Sequence, residues 1–195
     1  MEGDETIIVV SGIPRSGTSL VMQMLEAGGV RPLADAERPP DAGNPRGYYE
    51  LAAVQRLPAD TGWLAEARGH AVKVIHALVD RLPEGPRYRI LWIERDLAEV
   101  VRSQSALLAQ LGAPPTRGLS DARLAEILSQ QLAQVAAKLD SRPDMDRLTV
   151  SHATLIADPS GAAARIDAFR GAGLDVDAMA RVVDPSLYRV RAKSP

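Results

Sequence analysis

The sequence predicts an α/β fold with a central, mostly parallel β-sheet flanked by helices. Three observations carry that reading. Short apolar runs alternate with longer helical patterns along the 195 residues, the order expected of a doubly wound sheet. The strand-like runs are apolar at consecutive positions, as in strands buried on both faces. Hydrophobic residues make up 46% of the chain, enough for a substantial core. The length suits one α/β domain spanning residues 1–195. No internal repeat, low-complexity tract or domain boundary is visible.

The elements follow in order. Residues 6–10 form a β-branched run that reads as a buried strand. A turn rich in Gly and Pro comes next, Gly12-Ile13-Pro14-Arg15-Ser16-Gly17. A helix follows with Leu20, Val21, Met24 and Leu25 on one face, closed by Gly28-Gly29. Residues 30–50 hold four Pro and two Gly before Tyr48 and read as a long loop, often a functional one. Strands are expected at 71–75, 88–93 and 148–151. Helices are expected at about 97–111 and 120–139, then shorter ones at 159–169 and 175–183. Ser120 and Asp121 suit the start of the second long helix, and Leu124, Ile127, Leu128, Val135 and Leu139 share one of its faces.

Composition narrows the chemistry. Aromatics are 4% with a single Phe, so the core is aliphatic. Basic residues number 23 and acidic residues 25, a net charge of −2, which does not suggest nonspecific nucleic-acid binding. Anion binding would need a local cluster of cations. With no Cys and three His, disulfides and thiolate zinc sites are excluded, and no metal is expected. The start, MEGDETIIVV, lacks the features of a signal peptide. No run approaches the ~18 apolar residues of a spanning helix. The expectation is a cytoplasmic chain without a membrane partner; its oligomeric state is not legible.

Gly12 to Ser19, GIPRSGTS, lies between a buried strand and a helix. That is where P-loop-type three-layer folds place anions, on unpaired N–H groups at a helix start. Gly17 allows a close approach of the backbone, and Thr18 and Ser19 add hydroxyls. The ATP-binding form of this loop needs a Lys directly after the second Gly. Thr18 stands there instead, and the loop's cation is Arg15.

SGIPRSGTSL resembles the 5′-phosphosulfate loop of sulfotransferases that use PAPS, 3′-phosphoadenosine 5′-phosphosulfate. In that family a Lys or Arg sits two residues before the loop Gly, as Arg15 does. The family's second motif is a strand ending in Arg, with a Ser eight residues later; both bind the 3′-phosphate. Arg95, after Ile90-Leu91-Trp92-Ile93-Glu94, and Ser103 have that spacing. Read without the loop, Arg95 would simply form a surface ion pair with Asp96 or Glu99. Asn44-Pro45-Arg46-Gly47-Tyr48-Tyr49-Glu50, Val72-Lys73-Val74-Ile75 and Asp184-Pro185-Ser186-Leu187-Tyr188 resemble a bacterial branch of the same superfamily. The chain departs from the family in three respects, one being that the dimerisation segment known in some cytosolic members is not visible. A Gly- and Lys/Arg-containing closing loop is reduced to Arg189, Arg191 and Lys193, and His152 replaces a Tyr that contacts adenine.

The resemblance implies a sulfotransferase with PAPS as co-substrate and a small-molecule acceptor bearing a hydroxyl or amine. Pro14, Arg15, Ser16, Gly17, Thr18, Ser19, Arg95, Ser103 and His152 would bind the nucleotide. Arg15 would also stabilise the charge that develops during transfer. Glu50 and His76 are the candidate bases, with Glu50 preferred. His76 falls three residues after Lys73 where the cytosolic pattern has two, a shift that would reverse its face in a strand. Lys73 would bind sulfate or bridge to a carboxylate, and Asp35, Arg38 and Asp41 are weaker acceptor-site candidates. Two other readings remain open: an anion-binding module without transfer activity, and a small-molecule kinase.

Overall fold

The computed structural model describes residues 5–35, 47–110, 112 and 118–187. Its sheet has four strands among these residues: β1 (Ile7–Gly12), β2 (Ala71–Lys73), β3 (Tyr88–Glu94) and β4 (Met145–Ser151). They lie in the order β2-β1-β3-β4, all parallel. The helices are α1 (Thr18–Ala27), α2 (Leu64–Ala67), α3 (His76–Val79), α4 (Leu97–Gln110), α5 (Asp121–Asp140), α6 (His152–Ala157), α7 (Pro159–Arg170) and α8 (Val176–Arg181). Short 3-10 turns lie at Ala52–Arg56 and Pro185–Leu187. The expected strand at 71–75 stops at Lys73, so His76 opens α3. His76 therefore has no strand face to be reversed.

Period-two alternation sorts β1 into two cores. Ile7 and Val9 pack with Val72, Ile90, Trp92 and Leu139 on the α2, α3 and α5 side. Ile8 and Val10 pack with Val21, Leu25, Leu91, Ile166 and Met179 on the α1, α7 and α8 side. Every residue of β1 is buried, as a strand covered on both faces requires. A third cluster joins Ile13 of the loop to Val100 and Val101 of α4 and Leu128 of α5. Side-chain caps support several helix starts: Ser120 accepts from the Arg123 N–H, Ser151 from Thr154, Asp158 from Gly161 and Asp175 from Ala178. Among the described residues no helix is long and apolar enough to cross a membrane.

The topology positions the site. From β1 the chain passes to β2 on one side and then returns to β3 on the other. The order thus reverses between β1 and β3, and ligands of open α/β sheets bind outside the strand carboxyl ends at such a point. Register sharpens this. Gly12 pairs with Ile93, and Ile93 pairs with Val150. The residues leaving this row are the Gly12–Gly17 loop, Arg95 and His152.

Candidate functional site

The loop between β1 and α1 is a tight left-handed structure. Arg15 has φ 78° and Gly17 has φ 108°. The Ser16 N–H donates to the Ile13 carbonyl at 3.0 Å. Side chains would not fit at either glycine: a Cβ at Gly12 would lie 2.7 Å from the Ile93 carbonyl oxygen, and one at Gly17 would lie 2.6 Å from His152 Cδ2. The loop is thereby seated against the end of β3 and the start of α6. Its open side leads into the first turn of α1, whose N–H groups suit an anion.

The loop and the β3 motif meet directly. Arg95 Nη1 donates to the Arg15 carbonyl at 3.1 Å, and Arg15 Nε donates to Ser103 Oγ at 3.0 Å. These contacts join residues 80 and 88 positions apart. Gln104 Nε2 adds a bond to the Pro14 carbonyl at 3.2 Å. Arg95 Nε donates to Glu99 Oε2 at 2.8 Å, with side-chain exposures of 10% and 4%. Of the two carboxylates that could pair with Arg95, Glu99 is the partner in this bond, and the pair is buried, not superficial. Ser16, Thr18 and Ser103 are buried, Pro14 is exposed, and Arg15, Gly17 and Ser19 are half-buried.

His152 is buried against Gly17, with its backbone in the first turn of α6 behind the Ser151 cap. Burial pushes its imidazole down to about 4; the Arg95 charge acts the same way and Glu99 opposes it. His76 is buried too, and burial lowers its pKa, with Gln131 and the Gly12 backbone acting in the other direction. Its Nδ1, and the hydroxyls of Ser11 and Ser16, make no hydrogen bond among the described residues.

A second charged group flanks α1. Lys73 Nζ donates to the Tyr48 carbonyl at 3.0 Å and to Ser19 Oγ at 3.4 Å, and it faces Glu50 Oε1 at 3.7 Å. Lys73 thus bridges to a carboxylate, one of the two roles expected of it. Asp35 pins the same segment: its carboxylate accepts from the Ala52 N–H at 2.6 Å, and its own N–H donates to the Glu50 carbonyl at 2.9 Å. Tyr49 OH donates to Glu26 at 2.6 Å. Arg38, Asp41, residues 44–46, Tyr188, Arg189, Arg191 and Lys193 lie outside the described residues.

The structure therefore gathers Pro14 to Ser19, Arg95, Ser103 and His152 at the carboxyl ends of the strands, and sets Glu50 beside Lys73. His76 lies beneath the loop at Gly12. Gln104 escaped sequence reasoning, since nothing in its spacing distinguishes it from an ordinary helix residue. Glu99 was visible only as an i+4 neighbour of Arg95.

No protein-family model matches this chain, and no curated protein matches it by sequence. Among solved structures, a sulfotransferase domain from the curacin biosynthetic pathway aligns over 100% of this chain and 94% of its own length, with 14% identity and a TM-score of 0.56. Sulfotransferase STF9 from Mycobacterium avium aligns over 93% of this chain and 67% of its own length, with 16% identity and a TM-score of 0.48. The second is too distant to carry an argument. The first speaks for the architecture, and on that ground this chain has the fold of a sulfotransferase domain.

Proposed function

We propose that the chain transfers the sulfuryl group of PAPS to a hydroxyl or amine of a small acceptor. The observation that carries this reading is the junction of two phosphate motifs: Arg15 bonds Ser103, and Arg95 bonds the Arg15 carbonyl. The carboxyl ends of β1 and β3 thus bring together a helix start, Arg15, Arg95 and Ser103. That is a suitable grip for a nucleotide phosphorylated at both ends.

On this reading the acceptor oxygen or nitrogen attacks sulfur as the bond from sulfur to the bridging 5′-phosphate oxygen breaks. Adenosine 3′,5′-bisphosphate leaves. Such a loose, in-line transfer needs positioning and charge stabilisation above all, by analogy with phosphoryl transfer. Arg15 serves the charge that develops on the leaving phosphate, and the α1 N–H groups with Thr18 hold that phosphate. Ser103 and Arg95 take the 3′-phosphate. His152, packed against Gly17, borders the nucleotide. Glu50 accepts the acceptor's proton, because its partly exposed carboxylate can be reached by an incoming molecule while buried His76 is less accessible.

Calorimetric titration with adenosine 3′,5′-bisphosphate tests the nucleotide assignment. Wild type should bind, and Arg15→Ala and Arg95→Ala should each weaken binding by about tenfold or more. Absence of binding, or unchanged affinity in both variants, overturns it. Binding without any sulfated product across a broad acceptor screen would favour the non-catalytic module. Given turnover, Glu50→Gln should lower kcat by roughly 100-fold or more; a comparable loss in His76→Asn alone would move the base to His76.

A further inference from the structure

Arg15 is a non-glycine residue at φ 78°, a strained left-handed conformation that persists where the surroundings enforce it. The Arg15 carbonyl receives a bond from Arg95, which directly follows β3, the next strand in the sheet. A guanidinium is planar and rigid, so fixing its Nε also fixes the direction of Nη1. Glu99 does this fixing, at 2.8 Å and almost fully buried. Glu99 is held in turn: its N–H donates to Asp96 Oδ1 at 2.9 Å, and the next residues, Val100 and Val101, pack on Ile13 inside the loop. Helix α4 thereby grips the loop twice, through apolar contact at Ile13 and polar contacts at residues 14 and 15.

We infer that the Arg95–Glu99 pair braces the phosphate loop in its left-handed turn, and that Glu99 is a positioning residue for the 5′-phosphate half of the site as well as the 3′ half. The ligand test of this inference rests on the nucleotide reading above; the brace itself does not. If Arg95 only met a 3′-phosphate, disturbing it would leave ligands without that group unaffected. If it braces the loop, such ligands must suffer too.

The experiment compares adenosine 5′-monophosphate with adenosine 3′,5′-bisphosphate on wild type, Glu99→Gln and Arg95→Lys. Arg95→Lys keeps a cation opposite Glu99, so it guards against a simple failure to fold. Glu99→Gln should weaken both nucleotides by a similar factor, about tenfold. Arg95→Lys should weaken the monophosphate as well as the bisphosphate. Loss confined to the bisphosphate, or no loss, overturns the brace. A ligand-free measurement runs alongside: amide resonances of Arg15, Ser16 and Gly17 should shift in both variants while Val72 of β2 stays in place. If wild type binds neither nucleotide, the nucleotide reading fails, and these amides alone decide the brace. Unmoved loop amides in both variants would overturn it.

Discussion

Arg95 meets Glu99 at 2.8 Å with side-chain exposures of 10% and 4%, whereas Lys73 meets Glu50 at 3.7 Å with exposures of 7% and 32%. The first pair is buried and directional, and it is bonded to the loop backbone. The second is looser, and its carboxylate is open to solvent. The difference separates two tasks. A carboxylate that braces a cation can be sealed off, because nothing has to reach it. A carboxylate proposed to exchange a proton with an incoming molecule must stay accessible. On the proposed reading, the side that would hold the phosphates is thus tied down by closer, more buried contacts than the side that would receive the acceptor.

Stability measurements can break that contrast. Arg95→Met strands Glu99 in the interior and should cost about 3 kcal/mol in urea unfolding. Glu50→Gln should cost under about 1 kcal/mol, since its pair is partly exposed. Equal losses would mean that the two pairs do not differ as their geometry says. Acid sharpens the picture next. The folded His152 has a pKa of about 4 against an ordinary 6.5, so the unfolded chain takes up a proton that the folded chain resists. The associated stability is present in full above about pH 6.5 and is lost as pH falls toward 4, by up to about 3 kcal/mol. His76 shifts in the same direction. Unfolding curves at neutral and acid pH should therefore diverge less for His152→Gln than for wild type; equal divergence would remove His152 as the cause. The smallest effect on binding is expected at Ser103→Ala: bisphosphate affinity should fall less than about tenfold, with about 1 kcal/mol of stability lost with the Arg15 bond. A larger loss would place more of the grip on the hydroxyl.

Much of this was legible in the sequence because it depends on local rules. Uninterrupted apolar runs marked β1 and β3, and Gly17 with Arg15 marked the loop between strand and helix. The eight-residue spacing of Arg95 and Ser103 placed both on the β3–α4 unit. What escaped reading depends on three-dimensional neighbours. That Lys73 would find Glu50 and that Asp35 would tie down Ala52 both follow from how the chain after α1 returns beside β2. Glu99 shows the limit most clearly. Its spacing from Arg95 announced a pair, but only its packing beside Val100, Val101 and Ile13 made that pair interior.

The bond from Arg95 to the Arg15 carbonyl spans 80 positions of sequence. The loop between β1 and α1 therefore cannot be completed until β3 has docked beside β1, and no fragment ending before Arg95 can hold it in this form. Closing so long a connection is an entropic cost borne during folding. A ligand that grips both segments would bind the assembled chain and not the unfolded one, so by mass action it would raise the melting temperature in proportion to the logarithm of its concentration. Thermal shift thus becomes a means of screening nucleotides and, with the nucleotide present, acceptors, before any turnover has been detected.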